Sequence, residues 1–167
     1  VVLITNAPRP SPNVIEQLGA LGVPTATFDA VVTSGDVTRA LIENGSKKIF
    51  HLGPQRDTAI YDGLDAELVG LKEADVVVCT GLFDDESETP ADYADQLQEM
   101  KSRDLPFVCA NPDIVVEKGD RLIFCAGALA RDYAELGGKT FIAGKPHKPI
   151  YDEAIRKAEA LIVGKVE

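Results

Sequence analysis

The chain has 167 residues, 45% of them hydrophobic and 26% charged, so it can bury a core and does not read as a disordered tail. Its net charge of −10 at pH 7 repels phosphate backbones and anionic lipid, which disfavours nucleic acid and membrane surfaces as partners. A small anion stays compatible with this balance, because a local cationic pocket outweighs the global field at short range. The three cysteines, Cys79, Cys109 and Cys125, are odd in number and lack CxxC spacing, which predicts buried thiols in a reducing cytoplasm rather than a disulfide framework. No apolar run reaches the ~18–20 residues of a membrane span, and no signal peptide is read at the start.

In chain order, "VVLIT" is a continuous β-branched run, as expected of a strand in a parallel sheet. Ser11 and Pro12 read as the start of a helix with Val14, Ile15, Leu18 and Leu21 on one face, stopped by Gly22. "FDAVVTS" predicts a second strand, and Gly35 and Asp36 lead into a helix that Asn44-Gly45 ends. "KKIFHLG" follows as a strand, "RDTAIYDGL" as a helix-like segment, and "ADVVVCTGL" as another buried strand. The acidic run "DDESE" at 84–88 reads as a solvated loop, since consecutive carboxylates rarely converge on a metal. Thr89, Pro90 and Asp92 form a cap signal before a helix with Tyr93, Leu97 and Met100 on one face.

Strand "PFVCA" comes next, then two β-rich arms around Lys118-Gly119-Asp120 that predict a hairpin. "ALARDYAEL" predicts a helix, "TFIAG" a strand, and "HKPIYDEAIRKAEALI" a final helix. Strands alternating with helices define an α/β chain with a parallel sheet and right-handed crossovers.

Several chemical signatures are missing. The sequence has no phosphate-cradling GxxxxGK[ST], no GxGxxG after a strand and no GxSxG elbow. His51 and His147 are isolated and have no partner at zinc spacing. What remains is positional, because ligands of open parallel sheets bind beyond the carboxyl ends of the strands. Thr5 and Asn6 end one such strand, and Lys145 follows another. A hydroxyl donor and an ammonium at neighbouring strand tips can clamp a phosphoryl group, the lysine neutralising charge that grows in the transition state. The same residues also suit a capped strand end and a solvated turn.

"VVLITNAPRP" followed much later by "GKPHKPIYDEA", with "CANPD" and "AGALA" between them, resembles the haloacid dehalogenase-like (HAD) hydrolases. More narrowly, the order resembles subclass IIA, the p-nitrophenyl-phosphatase-like and sugar- or nucleotide-phosphate phosphatases. The resemblance implies a partial HAD-like Rossmannoid core, residues 1–34 and 141–167, with an inserted α/β C2-type cap domain at residues 35–140. It gives Thr5 the place of the phosphate-binding hydroxyl, Asn6 that of its neighbour, and Lys145 that of the lysine that stabilises an aspartyl-phosphate. It assigns Asn111 and Asp113 to substrate binding; Asn-Pro-Asp is also turn chemistry in its own right.

The family attacks phosphate with an aspartate of a DxDG-type motif and binds Mg2+ through that motif and a later acidic one. Neither is present here, so the resemblance implies a chain that starts after the first motif and stops before the second. The nucleophile and all metal ligands are then expected outside it, and the 167 residues alone are expected to be inactive. Asp36, Asp84 and Asp85 are not assigned those roles. The expectations are a cytoplasmic, Mg2+-dependent phosphatase as the parent protein, a small phosphorylated metabolite as partner, and an open question of homodimer formation. The alternative is a non-catalytic module that binds a phosphorylated metabolite or dimerises. A generic nucleotide-binding domain is a third reading, weakened by the absence of a glycine-rich phosphate loop.

Overall fold

A computed structural model describes residues 1–163, so residues 164–167 of the expected second core segment lie outside the described residues. Among the described residues nine strands and five α-helices follow one another, and the strands and helices expected from the sequence appear in that order, with the short strand Glu67–Leu68 added and one expected helix replaced by a 3-10 segment. Strands β1 (Val2–Thr5) and β2 (Ala30–Thr33) pair in parallel, with Thr5 opposite Thr33. Helix α1 (Ser11–Ala20) connects them. Its expected Ser11 cap is not used. Pro10 occupies the cap position, and the Ser11 N–H donates instead to the Asp36 carboxylate, 2.9 Å away.

Asp36 serves three elements at once. It closes a reciprocal capping box with Thr33 at the start of helix α2 (Ser34–Glu43), holds the start of α1, and lies 3.6 Å from the Lys157 ammonium. Its carboxylate is thus engaged in structure.

The second sheet has five parallel strands in the order β4-β3-β5-β6-β9. They are β3 (Lys48–Leu52), β4 (Glu67–Leu68), β5 (Val76–Cys79), β6 (Phe107–Cys109) and β9 (Thr140–Ile142). Successive side chains of a strand point to opposite faces, and the core divides accordingly. Val77, Cys79, Phe107 and Cys109 face one way. There they meet Leu97 and Met100 of α3 (Ala94–Ser102) and Leu129, Ala130 and Tyr133 of α4 (Ala126–Glu135). Ile49, Val78 and Val108 face the other way, against Ile42 of α2 and Ile60 and Tyr61. Burial on both faces explains the unbroken apolar runs of the sequence.

The helix-like "RDTAIYDGL" proves to be a 3-10 segment, Gln55–Tyr61, and the Thr89–Asp92 cap signal opens a 3-10 turn ahead of α3. The expected hairpin is present as antiparallel β7 (Val115–Lys118) and β8 (Arg121–Phe124), with Gly119 at φ +63° in its turn. The acidic loop before α3 is pinned to this hairpin, since Lys118 donates to the Glu86 carboxylate and Arg121 to the Glu86 carbonyl. Within the loop, Asp84 accepts from the Glu86 N–H and the Ser87 hydroxyl.

After β9 the chain crosses back to the first sheet. Helix α5 (Lys148–Val163) packs Ile150 and Ala154 on Val32, Val37 and Ala143. All three cysteines are free and buried, as the sequence predicts, and burial pushes the Cys109 thiol up to about 12 and the Cys125 thiol to about 11.

Tyr133 closes the larger core. Its ring stacks on Phe107 at 5.2 Å, and its hydroxyl donates to the Leu105 carbonyl at 2.7 Å. A Tyr133→Phe variant keeps the stacking and leaves that carbonyl unpaired, so urea titration should show a loss of about 1–2 kcal/mol.

Candidate phosphate site at the strand tips

The two sheets present their strand ends to a shared region. Thr5 ends β1. Gly53 and Pro54 follow β3, Thr80 and Gly81 follow β5, Asn111 follows β6, and Lys145 follows β9. This is the side of a parallel sheet on which ligands bind.

Asn6 is the joint between the two sheets. Its side-chain oxygen accepts the Lys145 N–H at 2.7 Å, and its amide nitrogen donates to the Lys145 carbonyl at 3.2 Å. The same nitrogen donates to Asp113 Oδ1 at 2.9 Å. One amide therefore holds both backbone groups of a residue 139 positions away and a carboxylate from the loop after β6. Asn111 shapes that loop, its side-chain oxygen accepting the Asp113 N–H at 3.1 Å, the Asx turn that Asn-Pro-Asp spells.

Close packing fixes the joint. A Cβ on Gly144 would stand 2.6 Å from Asn6 Oδ1 and from Pro112 Cδ. Thr5 accepts the Ala7 N–H at 3.2 Å, which leaves its hydroxyl hydrogen free to donate elsewhere. The Lys145 side chain is half-buried and forms no ion pair among the described residues.

Of the five residues that the sequence singles out, Asn6 is in direct contact with both Asp113 and Lys145. Asn111 orients Asp113, and Thr5 is the immediate neighbour of the joint. Thr5, Asn6, Asn111 and Asp113 line a cleft of about 430 Å3. Arg9, Gln17, Asn111 and Val116 also line a second cleft of about 630 Å3, so the two run together.

The walls of the larger cleft carry residues that motif reading missed: Arg9, Arg56, Asp57, Thr80 and Asp85. Their signal was positional, since "HLGP" and "CTG" each place a small residue directly after a buried strand. Asp85 is ion-paired with Arg56. Among the described residues no three His, Cys, Asp or Glu side chains converge as metal ligands.

An Asn6→Asp variant tests the joint. It removes the donor to the Lys145 carbonyl and sets a second carboxylate against Asp113. Thermal or urea denaturation should show a loss of about 2 kcal/mol. Asn6→Ala, which lacks the repulsion, should lose less.

No protein-family model matches the chain, and no curated protein matches it. Solved structures do, and they define the class as HAD-like hydrolases. A hydrolase of the haloacid dehalogenase-like family from Brucella suis is 62% identical, with a TM-score of 0.92, over 96% of this chain and 59% of its own. The chain belongs to the haloacid dehalogenase-like family. A 4-nitrophenylphosphatase from Thermotoga maritima (24% identity, TM-score 0.69, 95% of this chain and 60% of its own) shares the fold. So does a possible sugar phosphatase from Cytophaga hutchinsonii (19%, TM-score 0.71, 97% and 59%). The chain thus spans about 60% of the length of these relatives.

Proposed function

We propose that this chain belongs to a phosphatase acting on a small phosphomonoester and contributes the phosphate-holding side of its site. The observation that carries the reading is the joint of Asn6 with Lys145 and Asp113, which brings the strand tip bearing Thr5 to the segment bearing Lys145. In this reading the Thr5 hydroxyl donates to one phosphoryl oxygen. The Lys145 ammonium neutralises charge that grows as phosphorus is attacked. Asn6 and Asp113 position the lysine backbone, and Asn111 holds the loop that carries Asp113. Residues 35–140 act as the cap, which selects the leaving group and excludes water.

The reading further takes the attacking group to be an aspartate of the complete protein, and Mg2+, the family's usual cofactor, would when bound neutralise charge on the phosphoryl oxygens. Among the described residues no three His, Cys, Asp or Glu side chains converge as ligands for such an ion. No described helix is long and apolar enough to cross a membrane, and we place the protein in the cytoplasm on the strength of its reduced, buried cysteines.

The complete protein should release inorganic phosphate from p-nitrophenyl phosphate in the presence of Mg2+ and lose that activity in EDTA. A complete protein that cleaves no member of a panel of phosphomonoesters would refute the proposal.

A further inference from the structure

The first turn of α2 grips the loop that leaves the Thr5 strand tip. That loop, residues 6–10, joins β1 to α1 and supplies Asn6 to the joint and Arg9 to the cleft wall. Pro8 and Pro10 have no N–H, so after Asn6 only Ala7 and Arg9 bring backbone donors to it. Its height is fixed from outside. The Gly35 N–H donates to the Ala7 carbonyl at 3.1 Å, and the Asp36 carboxylate accepts the Ser11 N–H at 2.9 Å. Between these two ties the backbone passes directly over Gly35. A Cβ there would lie 2.5 Å from the carbonyl carbon and oxygen of Arg9 and 2.8 Å from its nitrogen.

Ala7 carries this constraint to the site. Its carbonyl is held by Gly35, and its N–H donates to Thr5 Oγ1 at 3.2 Å. A hydroxyl that accepts from a fixed N–H keeps its own proton for another acceptor, so the direction of that N–H governs where Thr5 donates. Helix α2 itself has no need of glycine at this place. Gly35 is buried and has no positive φ, and alanine is the better helix former. The close approach of the Arg9 backbone is what excludes a side chain.

We propose that Gly35 and Asp36 are positioning residues for phosphoryl transfer: they set the height of the loop over α2 and thereby aim the Thr5 hydroxyl through the peptide groups of Ala7. Neither touches the substrate. The inference rests on the phosphate reading above, because it takes Thr5 as the donor to the phosphoryl group. An alanine at position 35 would have to lift the loop by about 1 Å to reach ordinary carbon–carbon contact. Misplacement on that scale costs up to about 10²-fold in rate when it falls on a reacting group.

Turnover of p-nitrophenyl phosphate by the complete protein with Mg2+ tests the role. Gly35→Ala should lower kcat about 10- to 100-fold. A double-mutant cycle with Thr5→Val separates aim from general damage. Once Thr5→Val is present, Gly35→Ala should cost no more than about threefold further. Asp36→Asn keeps side-chain volume and weakens one of the two ties that its oxygens make, to Ser11 and to Thr33. It should lower kcat less and show the same coupling to Thr5, so the cycle stands if Gly35→Ala fails to fold.

An undiminished kcat in both variants would overturn the proposal, and so would an equal loss with and without Thr5→Val. Calorimetric titration with orthovanadate, a phosphoryl mimic, reads the same cycle without turnover. Gly35→Ala should weaken vanadate binding at least fivefold, and by less than twofold when Thr5→Val is present. A native protein that cleaves phosphomonoesters but shows no coupling keeps the phosphatase reading and loses the positioning role. One that cleaves nothing yet binds vanadate with this coupling keeps the positioning role and loses the phosphatase reading. A native protein that does neither loses both.

Discussion

A Lys145→Ala variant of the complete protein should turn over p-nitrophenyl phosphate about 10²–10³-fold more slowly in kcat, equivalent to about 3 kcal/mol in the barrier. The reasoning separates the residue's backbone from its side chain. Asn6 holds the Lys145 N–H and C=O, and alanine keeps both. The ammonium itself forms no ion pair among the described residues, so its removal breaks no structural contact of that kind. Melting temperature should therefore move by no more than a degree or two while kcat collapses. KM should change less than kcat, because the charge met by the ammonium is greatest in the transition state. Wild-type turnover by the variant would remove Lys145 from the chemistry.

The second large effect concerns Gly127, near the start of α4. A Cβ there would lie 2.1 Å from the Pro112 carbonyl oxygen and 2.6 Å from that of Asp113. Both contacts are backbone, and the Gly127 N–H already donates to the Asp113 carbonyl at 3.2 Å, so the loop has no flexible side chain to yield. Helix propensity pulls the other way, favouring alanine by about 1 kcal/mol. Relieving the clash costs about 3 kcal/mol, so the clash wins. Gly127→Ala should lose about 2 kcal/mol in urea titration and should displace Asp113 from Asn6. Gly19→Ala in α1 is the control. Nothing lies within 4 Å of its added Cβ, so the propensity gain should appear alone as a small stabilisation.

The sequence made much of this architecture legible. Continuous β-branched runs such as "VVVC" signal strands covered on both faces, and β5 sits between two apolar clusters as that pattern requires. The contacts of Asn6 with Asp113 and Lys145 agree with the order of the motifs that carry the family resemblance, but β1 and β9 lie in different sheets and not in one shared sheet, so it is the docking of the two sheets that brings these residues together.

Other features were hidden for physical reasons. Ser11 has the composition of a cap, but the Asp36 carboxylate, 25 residues on, takes its N–H, and no local pattern reports a partner that distant. The 3-10 form of Gln55–Tyr61 depends on how Ile60 and Tyr61 pack beneath β3 and α2, a tertiary matter. Asp57 and Thr80 belong to no motif. Their burial side by side in the wall of the larger cleft is set by tertiary packing, which no local pattern reports.

The Asn6 joint has a kinetic corollary. It links positions separated by most of the chain, so it can close only after both sheets have formed and docked, among the last contacts to be made during folding and among the first lost when either sheet loosens. Amide hydrogen exchange at Lys145 should therefore follow sub-global opening rather than complete unfolding. Mild denaturant would then silence the protein well before its spectroscopic signature of secondary structure declines.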